Sequence, residues 1–286
     1  MSEIYSSELK QMLSQAEARR NAHSRQNSRF SPTEIRSGTF PYPFELPNDL
    51  NVKEMALGEY RCRWLFHPAW DAKRRIVYFH GGGYVGGGWD SYKGIGAWLS
   101  WYSRTPVLFV EYRLAPEHRY PIATEDAYAA LQWAYNNGPE GTSQAASVCT
   151  AGDSAGGGLA VIVAMMARDR GARLPSACIC AGPFFDLASD SSTYLKGDST
   201  RVQMVDCYID QMHARQEYAS PLHGDLHGLP PIHIQVGSAD ILLHDSLAFA
   251  DKAARSNVEV ALQIAPYMPH VWQRFVPFAP ESVIAV

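Results

Sequence analysis

Short apolar runs alternating with helical patterns dominate this chain, and that alternation constrains its fold more than any other feature. Stretches at 61–66, 75–79, 107–112, 147–151, 177–181, 232–236 and 258–264 read as strands. Several are apolar along nearly their whole length, and 107–112 is broken only by Glu111. A strand with no polar face has to be covered on both sides, which points to a parallel sheet rather than to solvated hairpins. Helical patterns fill the intervals. One is capped by Asp90 and runs to Tyr102. Another has Pro121 in its first turn, sets Ala127, Ala130, Leu131 and Ala134 on one face, and stops before Gly138. A third, 154–170, is apolar all round between Leu159 and Met166, so it belongs at the centre of the molecule. Residues 243–254 make a fourth. The expectation is an α/β fold, a mostly parallel sheet with helices on both faces.

Two regions depart from this pattern. Tyr5, Leu9, Met12 and Leu13 follow the spacing of an amphipathic helix, and Pro32, Pro41, Pro43 and Pro47 then exclude a long one. Residues 1–50 are therefore expected to lie over the rest as a cap segment, with 51–286 as one α/β domain. The interval 184–220 carries no strand and reads as an insertion that completes the cap. At 46% apolar and 19% charged residues the chain can fill one large core. A net charge of −4 gives no electrostatic basis for nucleic acid or an anionic membrane as partner. The longest apolar run, 159–167, is too short to insert into a bilayer, and MSEIYSSELK lacks the basic start and apolar stretch of a secretory leader. The cytoplasm is the expected location. Five cysteines with no CxxC pair are expected as reduced thiols, those at 149, 178 and 180 within strands.

Gly-Asp-Ser-Ala-Gly at 152–156 stands between an apolar strand and a helix. A serine on such a sharp turn has strained backbone angles, and side chains at the flanking glycines would collide across it. The turn lifts the Ser154 hydroxyl clear of the sheet, at the positive end of the helix. The same five residues also suit an ordinary close-packing turn. A second element is His80-Gly81-Gly82-Gly83, directly after the strand at 75–79. Acyl transfer puts negative charge on a former carbonyl oxygen, and glycine amides can approach it where a Cβ would obstruct. Gly82, Gly83 and the amide of Ala155 could form a three-donor hole, with His80 anchoring the loop.

HGGG at 80–83, YRLAPEHRYP at 112–121, GDSAGG at 152–157 and LPPIHIQVGSADIL at 229–242, followed by His270, resemble the hormone-sensitive-lipase-like family of α/β-hydrolases. The match runs from about residue 76 to 271. It implies the α/β-hydrolase fold, an eight-stranded and mostly parallel sheet with a helical cap. It also implies a serine carboxylesterase acting on short- to medium-chain acyl esters, without a cofactor. Carried over residue by residue, Ser154 is the nucleophile, Asp240 the acid and His270 the base, with Gly82, Gly83 and Ala155 as oxyanion donors. The residues read alone agree, because Asp240 and His270 both follow strands at the carboxyl edge where open α/β sheets collect their sites.

Alternatives stay open at this point. Asp245 could replace Asp240 as the acid, whereas His244 reads as a surface residue and Asp153 as structural. His223, His227 and His233 lack a common helical face, so no metal is expected. Arg113, Glu117 and Asp126 read as a structural charge cluster. Gly158, where many relatives carry asparagine, and Val271-Trp272, where Gly-Phe is common, put the substrate class in question. Tyr84, Phe185, Met204, Tyr208 and Met212 are candidates to line the pocket, or else plain cap core. The expected partner is a small-molecule ester, with a homodimer left open. Rival functions are a lactone hydrolase, a deacetylase of a small metabolite, and a non-catalytic ligand-binding hydrolase fold.

Overall fold

The computed structural model describes residues 5–24, 46–188 and 199–286. Pro32, Pro41 and Pro43 and part of the expected insertion lie outside them. Eight strands form one sheet: β1 Asn51–Leu57, β2 Tyr60–Phe66, β3 Arg74–Phe79, β4 Val107–Glu111, β5 Ser147–Asp153, β6 Cys178–Ala181, β7 Ile232–Gly237 and β8 Val260–Ala265. Their order is β1-β2-β4-β3-β5-β6-β7-β8. Strand β2 is antiparallel to both neighbours and every other pair is parallel. The helices are α1 Ser7–Ser24, α2 Trp89–Ser103, α3 Ile122–Ala134, α4 Ala155–Asp169, α5 Ser199–Tyr208, α6 Leu243–Arg255 and α7 Pro280–Ala285.

Both faces of the sheet are covered, as the apolar strands require. On one, Ala127 and Leu131 of α3, Leu159 and Val163 of α4 and Phe249 of α6 pack with Val77, Phe79, Leu108 and Val110. On the other, Tyr92 and Ile95 of α2 meet Ile76, Tyr78, Val107 and Phe109. Every residue of α4 from Ala155 to Ala167 is buried. All five cysteines are free thiols. Burial pushes the Cys178 thiol up to about 12, so it stays protonated at neutral pH.

Two local expectations need correction. Gly88, not Asp90, occupies the cap position of α2, and Asp90 lies inside the first turn, where a carboxylate still faces the positive end of the helix. Pro121 takes the cap position of α3 rather than its first turn. Helix α1 docks through Leu9 and Met12, both buried, on Met268, Trp272, Phe275 and Ala279. Ser6 caps it by accepting the Leu9 amide, and the Ser6 amide and hydroxyl donate to Glu281 at 2.7 and 2.8 Å. Among the described residues no helix is long and apolar enough to cross a membrane.

Candidate active site

From β3 the chain moves to β4 on one side, and from β5 it moves to β6 on the other. Strands β3 and β5 pair directly, with Phe79 opposite Gly152, so the direction of winding reverses between them. Such a reversal leaves a crevice at the carboxyl edge of the sheet. The 80–83 loop leaves β3 there, and Ser154 leaves β5 there.

Ser154 has φ 51° and ψ −120°, a strained conformation that a non-glycine residue adopts only when its surroundings enforce it. The flanking glycines are that enforcement. A Cβ on Gly156 would lie 1.9 Å from the Phe79 carbonyl oxygen, and one on Gly152 would lie 2.3 Å from the Gly156 oxygen. Only bare backbone lets β3, β5 and the start of α4 come this close. Ser154 Oγ lies 3.1 Å from His270 Nε2, and His270 Nδ1 lies 2.8 Å from Asp240 Oδ1. The Asp240 side chain is fully buried, and its Oδ1 also accepts the Leu242 amide at 2.8 Å. A hydroxyl, an imidazole and a buried carboxylate in this sequence can relay a proton: the carboxylate fixes Nδ1–H, which leaves Nε2 free to accept from the serine.

The oxyanion candidates flank the serine. Gly82 and Gly83 have φ 117° and 63°, and the Gly82 carbonyl accepts the Val85 and Gly86 amides. The amides of Gly82, Gly83 and Ala155 have no acceptor among the described residues. Behind this loop, Asp153 Oδ1 accepts the Tyr78 hydroxyl at 2.5 Å and the Gly81 amide at 3.1 Å. Burial pushes the Asp153 carboxyl up to about 6, against the pull of Tyr78 and Arg274. His80 is buried and lies flat on Tyr112 with ring centroids 4.4 Å apart, and burial lowers it to about 4. A neutral imidazole held in this way anchors the loop and does not serve as a base.

The pocket candidates separate. Met204 of α5 lies against Gly83, where a Cβ would come within 2.6 Å of its methyl carbon. Tyr84 and Tyr208 are buried and stacked, with centroids 4.1 Å apart. Phe185 is wholly buried against Phe249, and Met212 is 83% exposed. Apolar character alone could not distinguish core, cleft and surface inside an insertion without periodicity. Asp245 does not touch His270; its carboxyl faces the Asp186 amide. His244 is exposed, and His223 and His227 pair with Asp186 and Asp225. Arg113 forks onto Asp126 and reaches Glu59. The sequence reading missed Gly182, which faces Asp240 and His270 from the end of β6. A glycine closing an apolar strand was the only signal for it.

Residues 76–274 match the alpha/beta hydrolase fold family. The chain belongs to that family. It is 35% identical over 241 residues to an acetyl-hydrolase of Streptomyces hygroscopicus, covering 81% of this chain and 79% of that protein. The crystal structure of an esterase from the bacterial hormone-sensitive lipase family superposes with a TM-score of 0.84 at 28% identity, covering 98% of this chain and 95% of the other. A crystal structure of EstE5 soaked with p-nitrophenyl butyrate superposes with a TM-score of 0.85 at 30% identity and the same coverage. This alpha/beta hydrolase is a carboxylic ester hydrolase of the hormone-sensitive-lipase-like group.

Proposed function

We propose that Ser154, His270 and Asp240 carry the ester hydrolysis and that the substrates are short- to medium-chain acyl esters. The observation that carries this reading is the unbroken relay from Ser154 Oγ to the buried Asp240 carboxylate, at 3.1 and 2.8 Å, on the strained turn between β5 and α4.

In the first step Ser154 Oγ bonds to the ester carbonyl carbon while His270 Nε2 takes the hydroxyl proton. The carbonyl electron pair moves onto oxygen, where the amides of Gly82, Gly83 and Ala155 receive it. Loss of one such preorganised donor costs roughly 2.7–4 kcal/mol of transition-state stabilisation. Collapse breaks the bond to the alcohol oxygen, which leaves with the proton held by His270. Water repeats the sequence on the acyl-serine, with His270 as base and Ser154 as leaving group. Asp240 keeps its charge throughout and offsets the imidazolium formed in each half.

Acyl length is tested by kcat/KM over p-nitrophenyl esters from acetate to palmitate. The reading expects a maximum on the short side and a steep fall for long chains; a maximum at palmitate would overturn it. The likeness to an acetyl-hydrolase favours one second reading, removal of an acetyl group from a small metabolite. A preference for acetate over butyrate of more than about tenfold, or about 1.4 kcal/mol, would support it.

A further inference from the structure

One short segment meets all three members of the relay. At its start, Gly182 has φ 50°, and a Cβ there would lie 2.7 Å from Asp240 Oδ2 and 3.1 Å from His270 Nδ1. Two residues on, the Phe184 amide donates to the Ser154 carbonyl at 2.9 Å. The Phe184 carbonyl lies against α4 at Gly158, where a Cβ would come within 2.6 Å of its oxygen. No strand continues the segment after Ala181, so side chains have to hold its far end.

They do so on two sides. On the outer side the Leu187 amide donates to Ser220 Oγ at 2.7 Å, the Leu222 amide donates to the Phe185 carbonyl at 3.2 Å, and His223 Nε2 lies 2.9 Å from Asp186 Oδ1. On the inner side the Asp186 amide donates to Asp245 Oδ2 at 3.2 Å. Asp245 is 4% exposed and sits in the first turn of α6, the helix that follows Asp240. Burial, and next the neighbouring Asp186, push its carboxyl up to about 7. A carboxyl in so unfavourable a place is expensive unless its acceptor atoms are needed. Here one of them satisfies the Asp186 amide, which is buried and has no sheet partner.

We propose that Asp245 is a positioning residue for the hydrolytic relay: by taking the Asp186 amide it fixes residues 182–186 against the helix behind Asp240, and so sets the distances among Ser154, His270 and Asp240. The proposal rests on the assignment of those three residues. It differs from the structural role of the outer contacts, which tie residues 185–187 to 220–223 and not to the helix that follows Asp240.

The test uses Asp245→Ala, Asp245→Asn and His223→Gln in the full chain, with kcat and KM on p-nitrophenyl butyrate and the rate of organophosphate labelling at Ser154. Alanine removes both acceptors. A displacement approaching 1 Å costs on the order of 10²-fold, so kcat and the labelling rate should fall together by about 30–100-fold, with KM within about threefold. Asparagine keeps one acceptor oxygen and should bring kcat back to within about tenfold of the parent. His223→Gln should stay within about threefold. An alanine variant with near-parent kcat and only a lower melting temperature would overturn the proposal, and so would equal losses in the alanine and asparagine variants. If the alanine variant does not fold, Asp245→Asn must still lower kcat more than His223→Gln does; the opposite order overturns the proposal. A parent enzyme that takes no label at Ser154 would instead sink the relay assignment, which keeps the two failures apart.

Discussion

Replacing Asp240 by asparagine preserves shape while removing charge and reversing one hydrogen bond. Asp240 Oδ1 now accepts from both His270 Nδ1 and the Leu242 amide. Asparagine can keep the Leu242 bond with its oxygen, and its amide nitrogen then faces Nδ1 as a donor. The imidazole answers by moving its proton to Nε2, which points at Ser154 and can no longer accept from it. Charge is lost as well. An imidazolium about 4 Å from the centre of a carboxylate gains about 4 kcal/mol at an effective dielectric of about 20, or roughly 10³-fold in rate at 1.36 kcal/mol per decade. With the wrong tautomer added, kcat should fall by about 10³–10⁴-fold while KM changes little. The assay is steady-state hydrolysis of p-nitrophenyl butyrate, with circular dichroism melts to show that the variant folds. A folded Asp240→Asn enzyme within tenfold of the parent would refute the argument and turn attention to Asp245.

Gly156→Ala forces a Cβ to within 1.9 Å of the Phe79 carbonyl oxygen and 2.7 Å of that of His80, and should cost at least about 3 kcal/mol or abolish folding. A chemical melt like the parent's would mean that the turn is looser than described. Leu9→Ala empties a site 0% exposed that packs with Met268 and Trp272, on either side of His270. It should cost about 2–4 kcal/mol and lower kcat as well; lost stability with parent kcat would show that α1 does not brace His270. Folding raises the Asp245 carboxyl from an ordinary value of 3.8 to about 7, so the folded state holds the extra proton between those values. The stability this contributes is fully present below pH 4 and is lost as pH rises through about 7. Denaturation midpoints of Asp245→Asn should therefore decline less between pH 4 and 7 than those of the parent; parallel curves would contradict the raised carboxyl.

The parts of the fold legible from sequence were those whose signal is local. Each all-apolar strand and the all-apolar helix α4 carry their burial in their own residues, and all lie within a residue or two of the expected positions. Strand β1 escaped notice because it is an exposed edge: most of Asn51–Leu57 faces solvent, so neither alternation nor an apolar run marks it. Ser154 could be read because an elbow needs glycines at fixed offsets. Its approach to His270, 116 residues away, is not local and followed only from placing both at one sheet edge. Met212 and Phe185 show the limit. Both are apolar residues of the same interval, yet one projects into solvent and the other packs under α6, and composition holds no information about that difference. Asp245 illustrates another: its carboxyl lies at the right depth for a triad acid, and only the direction of its hydrogen bonds separates it from Asp240.

The most direct test of the whole account is covalent labelling followed by peptide mapping. An organophosphate ester reacts with the serine that the relay activates, and with no hydroxyl that lacks a base and an oxyanion site. Inhibition should be complete at one equivalent, the adduct mass should fall on the peptide containing Ser154, and Ser154→Ala should take no label and lose about 10⁴-fold or more in kcat. A stoichiometric adduct on any other residue, or a Ser154→Ala enzyme that still turns over p-nitrophenyl butyrate at near-parent rates, would contradict it.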